Sequence, residues 1–217
     1  MKSHRSSSTN AQQRATGTSS QNTTTDQLLR YYATEMQERA DRPLGAERTA
    51  RVTAFTADLA DHDTVLEIGC GGGRDGRILA TGRGRYLGVD LSPEGVAICR
   101  DLGLDAQVAS ATDLPFRDRS IDAVWSMSTL MHLTDDQFTT ALAEIARVLR
   151  DGGVAAIGVW GHEPALASTD EHGRFFNRRT DADLRRALAH VGSVEEFETW
   201  YHDGTGHHYQ WARVRRG

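Results

Sequence analysis

The chain has 217 residues, 25% of them charged, and a formal net charge of −5. That length suits one α/β domain with a substantial core. Nothing in the charge balance or the scattered arginines points to nucleic acid, and no apolar run approaches the roughly 20 residues needed to span a bilayer.

Seventeen of the first 25 residues are Ser, Thr, Asn or Gln, and no Leu, Ile, Val or aromatic residue precedes Leu28. Such a segment buries too little apolar surface to offset its ordering entropy, so 1–25 is expected to be a disordered polar tail on a single domain spanning 26–217. Asp26 is placed to cap a helix through Leu28, Leu29, Tyr32 and Met36 that stops before Pro43. A second helix is expected from about Ala46 to Ala60, with Val52, Phe55 and Leu59 on one face. Strand one follows at Thr64–Gly69, then a helix from about Arg74, then a second strand ending at Asp90. Ser92-Pro93 opens another helix, with Ser92 as cap and Pro93 in the first turn.

Strand three is short, around Ala106 to Ala109, and strand four runs from Ile121 to Met127. A helix from Asp135 carries Phe138, Leu142, Ile145 and Leu149 at helical spacing, and Gly152-Gly153 turns it into strand five, Val154 to Trp160. After a charged insert at 162–179 and a helix near Asp181–His190, two extended runs, Val194 to His202 and His208 to Val214, are joined by Asp203-Gly204-Thr205-Gly206. This reads as an α/β fold: a doubly wound, mostly parallel seven-stranded sheet finished by a C-terminal antiparallel hairpin.

Residues Val65 to Gly76 carry the most information. A short apolar strand runs into Gly69, Gly71, Gly72 and Gly73, and a second strand ends on Asp90, 21 residues after Gly69. The glycines let the backbone turn and approach a ligand, and the acid can accept hydrogen bonds from both ribose hydroxyls of a nucleoside cofactor. Gly71, Gly73 and Gly76 also satisfy the nicotinamide-dinucleotide fingerprint literally. Counted from Gly69, where strand one ends, that pattern fails at Arg74, and Glu67 sets a negative charge where pyrophosphate would lie. A carboxylate there suits a cationic group better than phosphate. Cys70 and Cys99 have no metal or disulfide spacing, as expected of a cytoplasmic protein, and the histidines form no metal pattern.

Five segments in this order resemble the class I S-adenosylmethionine-dependent methyltransferases: Val65-Leu-Glu-Ile-Gly-Cys-Gly-Gly-Gly, Gly88-Val-Asp-Leu-Ser-Pro93, Leu114-Pro-Phe116, Ile121-Asp-Ala-Val-Trp125 and Arg147-Val-Leu-Arg-Asp-Gly-Gly153. The resemblance implies S-adenosyl-L-methionine as cofactor. Glu67, Gly69, Gly71 and Gly73 fall on its methionine-side loop, Asp90 on the ribose acid, Leu91 on the residue packing against adenine, and Ser126 at the end of strand four, where the backbone meets the cofactor's amino-acid moiety. Ser110, beside Ala111, stands where many relatives have an Asp accepting from the adenine amino group, with Asp113 as a substitute only if the loop rearranges. The 26–60 region is expected as a helical lid bearing Tyr31 and Tyr32, and 162–179 as a roof over the acceptor.

His132, just past strand four, is the candidate general base, needed only if the acceptor carries a proton to remove; His162 has a weaker claim. The expected reaction is in-line methyl transfer to the O or N of a small molecule, with neither nucleic acid nor membrane as partner. The alternatives are a nicotinamide-dependent oxidoreductase and a non-catalytic cofactor-binding protein on the same fold.

Overall fold

The structure, a computed structural model, describes residues 26–201 and 206–217. The expected polar tail 1–25, His202 and most of the expected hairpin connection lie outside the described residues. Helix α1 covers residues 26–41 and is followed by α2 (Ala46–Ala57). Then come β1 (Thr64–Ile68), α3 (Gly76–Leu79), β2 (Arg85–Asp90), α4 (Pro93–Asp101), β3 (Ala106–Val108) and β4 (Ile121–Met127). A 3-10 turn at Leu130–His132 leads into α5 (Asp135–Val148) and β5 (Leu149–Gly161). The last elements are β6 (Leu166–Thr169), β7 (Phe175–Arg178), α6 (Asp181–Leu188), β8 (Ser193–Tyr201) and β9 (His208–Arg215).

Seven strands form one sheet in the order β3-β2-β1-β4-β5-β9-β8. β3 through β5 pair in parallel, and β9 runs antiparallel to both β5 and β8. The chain winds outward from β1 in one direction through β2 and β3, then restarts on the other side of β1 with β4. The crevice at this reversal, beyond the carboxyl ends of β1, β2 and β4, is where ligands settle in a doubly wound sheet.

Strand alternation divides the core. Leu66 and Ile68 enter the cluster with Phe138, Leu142, Ile145 and Leu184 from α5 and α6. Val65 enters the opposite cluster with Val52 and Phe55 of α2 and with Val96 of α4. Glu67 shares the face of Val65, which brings a carboxylate into an apolar layer.

One cap follows the sequence reading, that of Ser92, and the capping box at Thr134 was not part of it. Ser92 Oγ accepts from the Gly95 amide at 3.1 Å with Pro93 in the first turn, and Thr134 closes a capping box with Gln137 ahead of Asp135. Two elements differ from expectation. β5 begins at Leu149, where helix α5 was expected to continue, because Leu149 pairs with Ile121; the Gly152-Gly153 step is a bulge inside the strand, with Gly152 at φ +76°. The insert at 162–179 contains an antiparallel hairpin, β6–β7, that the sequence reading did not include. Among the described residues, no helix is long and apolar enough to cross a membrane.

Candidate functional site

A cavity opens at the topological switch point. Its floor is the loop after β1, with Gly69 at φ +81° and Gly71 at φ +49°, left-handed conformations that suit glycine. A Cβ on Gly69 would stand 2.0 Å from Thr129 Oγ1, so this glycine is also required by close packing against the loop after β4. At the end of β2, Asp90 Oδ2 accepts from the Gly71 amide and Oδ1 from the Ser92 amide, both at 2.8 Å. These bonds fix the carboxylate against the glycine loop while each oxygen keeps a lone pair. Burial raises the Asp90 pKa, and the Ser92, Gly71 and Leu91 amides oppose that shift.

Deeper, Glu67 is almost fully buried and accepts from the Tyr86 hydroxyl at 2.6 Å. Burial and then the nearby Asp75 charge push its carboxyl well above the usual range. Asp75, only 1% exposed, takes three contacts of 2.6–2.9 Å from the Arg48 guanidinium and a fourth from Trp125 Nε1 at 2.7 Å. Sequence reasoning assigned neither Arg48 nor Asp75 a role. Asp75 follows the last loop glycine by two residues, a signal that was available; Arg48 sits on α2, and only the fold brings it across.

Over the mouth lies α1. Met36 approaches Gly71, and a Cβ on Gly72 would meet Ala40 Cβ at 2.5 Å, so the loop's small residues let the helix seat closely. Tyr32 reaches from α1 to His132 on the 3-10 turn, with 3.3 Å between Oη and Nε2. On its other side, His132 Nδ1 lies 2.7 Å from the carbonyl of Phe175 on β7. A carbonyl only accepts, so Nδ1 carries the proton and the neutral ring's Nε2 receives the Tyr32 hydroxyl. Burial, reinforced by Arg174 and Arg39, lowers the His132 pKa to about 4.

The cavity wall therefore gathers Glu67, Gly69, Gly71, Asp90, Leu91, Ser110, Ala111 and His132 from the sequence expectations. Ser110 Oγ is engaged within its own loop, 2.7 Å from Thr112 Oγ1. Gly73 and Ser126 are not brought to the wall. A Cβ on Gly73 would meet Leu104 and Cys99, and Ser126 donates to the Ile68 carbonyl inside the sheet. Met127, Ser128 and Thr129 take the strand-end place instead, with Ser128 at φ +58°. Asp113 is exposed and away from the cavity, and His162 is exposed and bonded to the Pro164 carbonyl.

The cavity combines a glycine cradle, a strand-end acid and a buried carboxylate, which fits a nucleoside joined to an amino acid. A family profile described as a methyltransferase domain matches residues 66–157. That profile marks a methyltransferase domain in this chain, and S-adenosylmethionine is the cofactor such a domain uses. The nicotinamide alternative falls with that.

An Arabidopsis thaliana protein named tRNA (carboxymethyluridine(34)-5-O)-methyltransferase is 35% identical over 115 residues, covering 52% of this chain and 28% of that protein. Fatty-acid O-methyltransferase of Mycolicibacterium smegmatis is 42% identical over 107 residues, covering 46% and 38%. The chain thus spans 28–38% of the length of these curated relatives. Among solved structures, the N1-methyltransferase for 1,6-didemethyltoxoflavin from Burkholderia thailandensis, with bound 1,6-didemethyltoxoflavin and S-adenosylhomocysteine, superposes with a TM-score of 0.71 at 21% identity, covering 88% of each chain. That likeness is one of fold. The Arabidopsis relative is by name a tRNA methyltransferase, which overturns the expectation that nucleic acid is no partner. That expectation leaned in part on charge balance, a property of the whole surface that says little about one binding face, and in part on strand-four motifs missing from Ser126-Met-Ser-Thr129, which mark only some nucleic-acid chemistries.

Proposed function

We propose that this methyltransferase esterifies a carboxylic acid, transferring the methyl group to a carboxylate oxygen. The observation that carries the reading is the state of His132. Its Nδ1 is committed to the Phe175 carbonyl, its Nε2 is covered by the Tyr32 hydroxyl, and burial lowers its pKa to about 4. A base that weak takes a proton poorly from a hydroxyl or an ammonium near neutral pH. A carboxylic acid arrives already ionised, so it asks nothing of His132 beyond holding the lid through Tyr32. S-adenosylmethionine supplies a methyl group on a sulfonium, already a good leaving group, and the protein's task is to align the acceptor and exclude water.

The names of two relatives agree with this reading. A carboxymethyl group on a tRNA nucleoside and a fatty acid differ in everything except the carboxylate. Glu67 and Asp90 serve the cofactor's amino-acid and ribose ends, and α1 with the 162–179 insert covers the acceptor.

Radiolabelled methyl transfer to an extract divided into small acids and tRNA tests the proposal. Label in a carboxylate ester is released as methanol by mild alkali, whereas N-methyl and ether products keep it. Alkali-stable label in both fractions would sink the carboxylate reading.

A further inference from the structure

We infer that Arg39, on the lid helix α1, selects the acceptor by receiving its carboxylate, an inference that rests on the esterification reading above. Arg39 lines the cavity, and its guanidinium carbon stands 5.1 Å from the Tyr32 ring centroid and 5.7 Å from that of Tyr31. Its Nε is buried without a hydrogen-bond partner, and among the described residues it has no carboxylate to pair with. Three other arginines around the lid have carboxylate partners: Arg42 pairs with Glu38, Arg48 with Asp75 and Arg174 with Asp170. Arg74 donates to the Pro43 carbonyl and also has a buried Nε without a partner, but it sits on the loop after β1 and not on the lid helix. A guanidinium presents a planar fork of donors that matches a carboxylate, and a buried unpaired donor is costly until something accepts from it.

The charge of Arg39 acts on Tyr32 and His132, the residues that join the lid to the wall, and on Arg74 beside the glycine loop, whereas the arginine acting on the buried Glu67 is Arg48. Tyr31 and Tyr32 hold the guanidinium by cation–π contact and limit its hydration, so an arriving anion meets a cation already partly stripped of water.

With one carboxylate oxygen held by Arg39, the other forms the new carbon–oxygen bond as the carbon–sulfur bond breaks and its electron pair stays on sulfur. No proton moves. The ester produced is uncharged, so it gives up the ion pair with Arg39 and leaves more readily than the acid.

Calorimetric titration of the full chain saturated with S-adenosylhomocysteine tests this. Dodecanoate and 5-carboxymethyluridine serve as carboxylate probes, and dodecan-1-ol and uridine as their neutral counterparts. The wild-type protein should prefer at least one carboxylate over its neutral counterpart by about tenfold or more, as a charge-assisted pair requires. Arg39→Gln should erase that preference, and Arg39→Lys should restore part of it through charge without the fork, with S-adenosylhomocysteine affinity unchanged in both. Which probe is preferred tells a free acyl acid from a nucleoside-borne one.

A preference that survives Arg39→Gln overturns the inference and leaves the esterification reading standing. Loss of S-adenosylhomocysteine affinity in Arg39→Gln also overturns it, because the guanidinium would then serve the cofactor's own carboxylate. A wild-type protein that binds S-adenosylhomocysteine yet prefers neither carboxylate removes the esterification reading and the inference together.

Discussion

Replacing Arg48 with Met should strip Asp75 of its counter-ion while keeping most of the apolar stem. Asp75 has 0% of its side chain exposed and Arg48 retains 32%, so the variant leaves behind the more deeply buried charge. Breaking a buried pair by removing one partner costs about 3–5 kcal/mol. Trp125 Nε1 still donates to Asp75 at 2.7 Å, which places the loss near the lower end, about 3 kcal/mol. For a domain of this size each kcal/mol lowers Tm by about 2–4 °C, so thermal melts followed by circular dichroism should show a fall of about 6–12 °C. The double variant Arg48→Met/Asp75→Asn should recover part of that fall, because the orphaned charge is gone. An unchanged Tm in the single variant refutes the reasoning. Equal Tm values in the single and double variants would assign the loss to packing of the arginine stem instead.

Three further outcomes follow from the geometry. Asp90→Ala should weaken S-adenosylhomocysteine about ten- to a hundredfold by calorimetry, since charged hydrogen bonds contribute about 1.5–3 kcal/mol; unchanged affinity would remove Asp90 from the ribose role. His132 binds its proton at about 4 when folded against 6.5 when unfolded, so the unfolded chain takes up more protons between those values and stability falls as pH drops through that window. The gap corresponds to about 3 kcal/mol, lost by about pH 4, and His132→Gln should flatten that part of a denaturant-derived stability profile; an unaltered slope would show that other groups set it. Gly72→Ala should lift α1 from the glycine loop, because the added methyl would meet Ala40 Cβ at 2.5 Å. Faster amide exchange along α1, with the central strands unaffected, is the expected signature, and unchanged exchange would show that the lid seats elsewhere.

The sheet was legible because apolar runs between glycine and proline signals mark buried parallel strands, and the glycine loop with Asp90 was legible because both ends of a nucleoside site lie within one βαβ unit. The insert hairpin was not: Leu166–Thr169 and Phe175–Arg178 carry little alternation, and their pairing leans on packing of Phe176 against Trp160 and His132. The resemblance put the backbone of Ser126 against the cofactor, but Ser126 lies inside β4, one residue short of the cavity wall. The side chain turned into the sheet toward the Ile68 carbonyl, leaving the wall to Met127 and Ser128.

The sequence by itself determined the layer architecture, the Ser92 cap and the acid that ends β2, because each depends on residues within a few turns of one another. Only the tertiary structure decided the chemistry of the mouth. Arg48 meets Asp75 across 27 positions, Tyr32 meets His132 across 100, and the Phe175 carbonyl sets the histidine's tautomer from 43 residues away. Burial and charge at a site depend on which distant side chains pack there, and that is fixed when the helices dock on the sheet, not by local spacing along the chain.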